Sequence, residues 1–225
     1  MSTARSWPAG PLEVRVAVGG GAAAPREPLS TDRIVDAALA LIRTDGYDAV
    51  SMRAVAKALG TGPASLYAHV ANKDELDQLV VDRIAEQLTL PEPDPGRWDE
   101  QLKQTMREAR DLWRAHPGAA RASLAMVPTG DGALRTTEGL LALCRAGSVP
   151  GRAAARFCAQ LTLYVAAVAL EESIRADRAA VRRDASDREP DRAVDTTGDG
   201  DEQFEFGLSV LVEGVKAVAG QEETP

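Results

Sequence analysis

Hydrophobic positions recur along this chain at intervals of three and four, never in sustained alternation, and predict a succession of amphipathic helices. The first begins at Leu29-Ser30, where the serine can cap free N–H groups and the leucine can staple against Ile34. Ile34, Ala37, Ala38, Leu41 and Ile42 continue it as one stripe, and Gly46 ends it in the usual C′ position. A second helix, capped by Ser51, is expected to bury Val55, Ala56 and Leu59 and to stop at Gly60. Pro63 opens a third, anchored by Leu66 and Val70. Asn72-Lys73-Asp74-Glu75 reads as a capping box for a fourth helix through Leu76, Leu79, Val80, Ile84 and Leu88, which Pro91, Pro93 and Pro95 end.

The rest of the chain continues in helices. Residues 97–115 place Trp98, Leu102, Met106, Ala109 and Trp113 on one broad face, broken by His116-Pro117-Gly118. A short helix near 118–126 and another over about 131–146 follow. Pro150 introduces the longest, apolar nearly all round from 157 to 170 and so expected to be covered on several sides. Residues 178–203, dominated by Arg, Asp, Gly and Thr, predict a charged mobile loop, with the last helix over about 203–219. Residues 1–28 predict a disordered leader, on composition. The expected architecture is all-α with about nine helices: a leader at 1–28, a helix-turn-helix domain at 29–75 and a second helical domain at 76–220.

Charge changes this picture most at one place. The chain carries a net charge of −8, which argues against non-specific coating of nucleic acid. Yet Ser51–Lys73 holds no Asp or Glu, and Arg53, Lys57 and Lys73 make it cationic. Gly60-Thr61-Gly62 divides it into two short segments, the layout of a helix-turn-helix. In that motif the N-terminal residues of the second helix meet base edges; here they are Thr61, Gly62, Pro63, Ala64 and Ser65. Ser51 and Arg53 open the preceding helix, with Arg53 suited to bidentate recognition of guanine. Tyr67, His69 and Lys73 suit phosphate contacts. Each also has an ordinary alternative: a half-buried tyrosine, a surface histidine, a surface ion pair. The pattern alone is weakly specific.

Other chemistry is thin. Aromatic residues make up 4% of the chain and apolar ones 44%, which favours packed helices. Cys144 and Cys158 form no metal-ligand or disulfide pattern and are expected to be small buried side chains. No apolar run reaches the roughly 18 residues of a membrane span, and no signal peptide is visible, so the expectation is a cytoplasmic protein with no membrane partner. No nucleophile–histidine spacing, phosphate loop or catalytic carboxylate pair appears, so neither an enzyme nor a cofactor is expected.

Taken together the motifs resemble the tetracycline-repressor (TetR) family of bacterial transcriptional regulators. LGTGPASLYAHVANKDELDQLVVDRI carries the LY-x-HV-x-NK-x-x-L pattern of that family's recognition helix and the helix after it. IVDAALALIRTDGYDAVSMRAVAKALG fits the first two helices, with Gly46, Arg53 and Leu59-Gly60 in place. AHPGAARASLAMVP, LLALCRAG, VALEES and FEFGLSVLVEGV follow in the order of the tetracycline repressor's C-terminal domain. The resemblance implies a homodimer on a palindromic double-stranded DNA operator, released when a small organic effector tilts the fourth helix. Two alternatives stay open: a helical small-molecule-binding protein, or a DNA-binding activator without effector-triggered release. The chain departs from the tetracycline repressor at the metal–drug site, where Ser123 stands for a metal-binding histidine and Thr89 lies near a drug-binding one. No metal is therefore expected. Candidate effector contacts are Met106, Arg110, Trp113, Met126, Phe157, Gln160 and Tyr164, flanked by Trp98 and Glu171, with Arg110 and Gln160 as polar anchors. That mixture predicts an apolar or amphipathic effector.

Overall fold

The computed structural model describes residues 28–185 and 200–221. Among them are nine α-helices, one 3-10 turn and no strand, the all-α architecture expected. The helices are α1 (Thr31–Asp45), α2 (Met52–Ala58), α3 (Pro63–Leu66), α4 (Lys73–Glu86), α5 (Trp98–Arg114), α6 (Ala119–Ala125), α7 (Asp131–Ala146), α8 (Gly151–Ala185) and α9 (Gly200–Gln221). The 3-10 turn, Tyr47–Ala49, joins α1 to α2. Residues 1–27 of the expected leader lie outside the described residues.

Local chemistry sets most boundaries. The Ser30 hydroxyl accepts from the Arg33 N–H at 3.3 Å, and Ser51 from the Ala54 N–H at 3.1 Å. Asn72 accepts from the Glu75 N–H at 2.8 Å, while the Glu75 carboxylate reaches back to the Ala71 N–H at 2.5 Å. Gly46 leaves α1 at φ 80°, a region that other residues rarely adopt.

Two hydrophobic cores result. The first joins α1, α2, α3 and α4, with Ala119 of α6 added. Its α1 stripe is Ile34, Val35, Ala38, Leu39 and Ile42, whereas Ala37 and Leu41 are only partly buried. The buried sector is thus rotated from the expected stripe to take in Val35 and Leu39 in place of Ala37 and Leu41. The second core joins α5, α7, α8 and α9. Helix α4 straddles the boundary expected at residue 75: Leu76, Val80 and Ile84 belong to the first core, yet α4 also packs on α6 and α7.

Three expectations change. Residues 178–185 continue α8 and residues 200–203 begin α9, so the charged stretch is helical at both ends; residues 186–199 lie outside the described residues. Ala and Arg are good helix formers, and their charge says nothing against a helix. Nor is α8 covered all round: Phe157, Leu161 and Val165 are buried, but Leu163 is 56% exposed. By length and composition residues 151–181 are also apolar enough to cross a membrane, with a mean hydropathy of 1.5 in the best window. Here that helix is the central element of the second bundle, packed against α5, α6, α7 and α9. Cys144 and Cys158 are buried free thiols 3.8 Å apart.

Candidate DNA interface and effector cavity

The helix-turn-helix is held from below and open above. Met52, Val55 and Ala56 of α2, with Leu66 and Val70 of the next segment, enter the first core. Gly60 turns the chain at φ 65°, and the Thr61 N–H returns to the Ala56 carbonyl at 3.0 Å. Pro63 starts α3 at a position that needs no amide proton. After Leu66 the helix tightens, with the His69 and Val70 N–H groups both donating to the Leu66 carbonyl at 2.9 Å.

Most sequence-predicted DNA residues lie on the outward side. Ser51, Arg53, Gly62, Pro63, Ala64, Ser65 and His69 are exposed, and Tyr67 is 54% exposed; Thr61 is half-buried. Among the described residues neither Arg53 nor Lys57 is drawn into an ion pair, and at i, i+4 they are neighbours on one helix face. Lys57 was not among the expected DNA contacts, yet that spacing puts it on the same exposed face as Arg53.

Lys73 is held differently from the free phosphate ligand expected. Its ammonium pairs with Asp77, lies 3.3 Å from the Tyr47 hydroxyl and sits 4.4 Å from the Tyr47 ring centroid. Burial and the neighbouring Asp77 push the Tyr47 phenol above its ordinary range. Tyr47 is also the joint to the rest of the molecule. Its N–H donates to the Pro117 carbonyl at 2.9 Å, and Gly118, at φ 80°, admits its Cβ closely. Beside it, Asp48 pairs with Arg121 at 2.8 Å. The His116 ring donates from Nδ1 to the Leu112 carbonyl at 2.8 Å, which leaves Nε2 to accept from Arg43 Nε at 3.3 Å. Burial and Arg43 hold His116 below its ordinary pKa despite the Leu112 bond.

Above this joint, α4, α5, α6, α7 and α8 enclose a cavity of about 240 Å3. Met106, Trp113 and Met126 line it as expected residues, and Ser123 does too. Val81 and Ile84 of α4, Leu88 just beyond its end, and Thr136, Thr137 and Thr162 were not anticipated. The Val80-Val81 doublet was the available clue, since adjacent apolar residues on a helix face two different packings. No ionisable side chain is among the lining residues.

Four candidate contacts lie elsewhere. Arg110 is not a free polar anchor: it is buried, pairs with Glu172 and with Asp201 at 2.9 Å, donates to the Gly200 carbonyl and stacks 4.3 Å over Phe204. Burial pushes Glu172 up, but Arg114 and Arg110 outweigh it and hold the carboxyl below its usual range. Tyr164 stacks on Phe204 and donates to its carbonyl at 3.0 Å. Phe157 is packed in the second core, and Gln160 is exposed. Of the flanking candidates, Trp98 packs against that same core and Glu171 pairs with Arg175 at 2.7 Å. Thr89 is exposed and outside the cavity lining.

The α4–α7 seam beside the cavity is close. Gly130 precedes α7 and supplies no side-chain cap; Asp82 of α4 instead accepts from the Ala133 N–H at 3.0 Å. In the opposite direction, Arg135 of α7 donates to the Glu86 carbonyl at 2.6 Å and the Leu88 carbonyl at 3.0 Å. A Cβ on Gly130 would overlap the Asp82 carboxylate, and one on Gly132 would lie 2.5 Å from the Asp82 carbonyl oxygen.

The chain is similar to known proteins in sequence and in fold. Residues 34–80 match the family described as bacterial regulatory proteins, tetR family, and residues 90–219 match the tetracyclin repressor-like C-terminal domain. The HTH-type transcriptional repressor DrrR1 of Streptomyces coeruleorubidus is 35% identical over 122 residues, which span 54% of this chain and 45% of that protein. ActR from Streptomyces coelicolor, in complex with actinorhodin, is 38% identical with a TM-score of 0.76, covering 87% of this chain and 99% of that one. BioQ with its double-stranded DNA operator is 26% identical with a TM-score of 0.65, covering 84% and 99%.

Proposed function

The chain belongs to the tetR family of bacterial transcriptional regulators, and from that premise we propose that it is a homodimeric repressor released from a palindromic operator by an uncharged organic effector. One observation carries this reading: an exposed, carboxylate-free helix-turn-helix and an uncharged cavity share α4 as a common wall.

On DNA, Gly62, Pro63, Ala64 and Ser65 are small enough to let the backbone approach base edges, with methyl and hydroxyl contacts as readout. Arg53 and Lys57 meet phosphate or guanine, while Tyr67 and His69 fix the register. The apolar side chains left open on α9, Phe206 at 72% and Val210 at 55% exposed, support pairing with a second copy. The cavity offers hydroxyls and an indole but no counter-ion, so an ionised ligand would lose its hydration uncompensated. An occupant pressing on Val81, Ile84 and Leu88 displaces α4, changes the spacing of the two recognition helices and lowers operator affinity. The binding of actinorhodin by ActR and of an operator by BioQ supports the two halves of this scheme.

Selection of bound fragments from a genomic DNA library across a salt series tests it. A palindrome is expected, with affinity falling steeply as salt rises. Arg53→Ala should reduce that salt slope by about one for each phosphate the arginine neutralises. Absence of enrichment at every salt concentration sinks the regulator reading. Release from the selected operator is then screened with uncharged aromatic compounds, Trp113 fluorescence reporting cavity occupancy.

A further inference from the structure

The reciprocal caps between α4 and α7 are more than a packing detail, because each helix end takes part of its hydrogen bonding from the other. The first-turn N–H groups of α7 receive no cap from Gly130, and Asp82 supplies one from α4. Carbonyls closing α4 at Glu86 and Leu88 are satisfied by Arg135 from α7. Gly132 lets the two backbones meet at a distance that any Cβ would prevent, and Gly130 leaves room for the Asp82 carboxylate. The helical turns that carry these caps also face the cavity, through Ala85 and Leu88 on one side and Ala133 and Thr136 on the other.

We propose that Asp82 and Arg135 are the positioning residues through which cavity occupancy sets the direction of α4, an inference that rests on the regulator reading above. A sliding movement at this seam breaks bonds on both helices at once, the Asp82–Ala133 bond part-buried and the Arg135–Glu86 bond at the surface. The seam is therefore either made or broken and does not slide by small degrees. Breaking it frees α4 at its cavity end. The far end of α4 carries Lys73 and Asp77 against Tyr47, and Tyr47 holds the Pro117 carbonyl. Loss of the caps thus loosens the seat of the helix-turn-helix itself.

The test compares Asp82→Ala and Arg135→Ala with Leu140→Ala in the full-length chain. Leu140 is a buried α7 residue outside the cavity lining and the seam bonds, so its truncation destabilises the fold while leaving both caps in place. Operator affinity is measured at temperatures where every variant is folded, with amide exchange at Tyr47 followed without DNA. Asp82→Ala and Arg135→Ala are expected to weaken operator binding at least about fivefold, the lower end of allosteric couplings, and to speed Tyr47 exchange. Asp82→Asn, which keeps an acceptor oxygen, is expected to retain most of the affinity, and Leu140→Ala to stay within about twofold. Equal affinities for Asp82→Ala and Leu140→Ala, or faster exchange confined to the first turn of α7, would overturn the proposal. Should the parent chain bind no DNA, the regulator reading fails by itself, and the spread of exchange to Tyr47 still decides whether the seam positions α4.

Discussion

At its N-terminal end α4 satisfies its own free groups, Asn72 accepting from the Glu75 N–H and Glu75 from the Ala71 N–H. At its C-terminal end it relies on α7, through Arg135. A self-capped end travels with its helix, whereas a borrowed cap ties the helix to a neighbour. The difference ties α4 down at the cavity and lets its other end, which faces the helix-turn-helix, move as a self-capped unit.

Gly132→Val strikes the borrowed end hardest, because its Cβ must enter the space of the Asp82 carbonyl and the Glu86 side chain. A loss of about 3 kcal/mol is expected from overpacking, read as a lower urea midpoint at unchanged slope. By contrast Gly62→Ala, with nothing within 4 Å of the added Cβ, should stay within about 0.5 kcal/mol. Asp77→Ala comes next: it removes the carboxylate that pairs with Lys73 beside Tyr47. About 1–2 kcal/mol is expected, since Asp77 is buried but Lys73 is partly solvated. A value indistinguishable from zero would mean that solvent screens the pair completely. Smaller again, Asn72→Ala should cost about 1 kcal/mol, the usual worth of an N-cap. If it costs as much as Gly132→Val, the contrast between the two ends is wrong.

The smallest effect concerns pH. His116 is held below its ordinary 6.5 in the folded chain, so below that value the unfolded chain takes up the proton more readily. Its stabilising contribution is present above about pH 6.5 and is lost as pH falls below it. Urea midpoints at about pH 7.5 and 5.5 should therefore differ less in His116→Gln than in the parent. The lowered carboxyls of Glu172, Glu205 and Asp99 act in a more acidic window.

What could be read from the sequence follows the range of the interactions. Ser30, Ser51 and Asn72 cap residues three positions away, and their helices start where the pattern placed them. α7 matched its expected bounds, 131–146, because Gly130 and Gly147 flank one uninterrupted run. Partners far along the chain were hidden. Arg110 looked like a ligand anchor because Glu172 and Asp201 lie 62 and 91 positions away, and nothing local marks them as its partners. The same limit concealed Asp82, an ordinary helical carboxylate until α7 folds over it. The loop expected at 178–203 was drawn too wide at both ends for another reason: charge was read as irregular structure, although the Ala and Arg content of 178–185 continues α8.

The residues that open α3 and face outward, Pro63, Ala64 and Ser65, contribute no buried area to either core. On the proposed reading, exchanging them alters what is read without altering what folds. A lineage carrying this scaffold can therefore drift to new operator sequences in single steps, each nearly neutral for folding, while the sensing half stays unchanged. Duplicated copies would part first in the genes they govern and only later in the compounds they answer to.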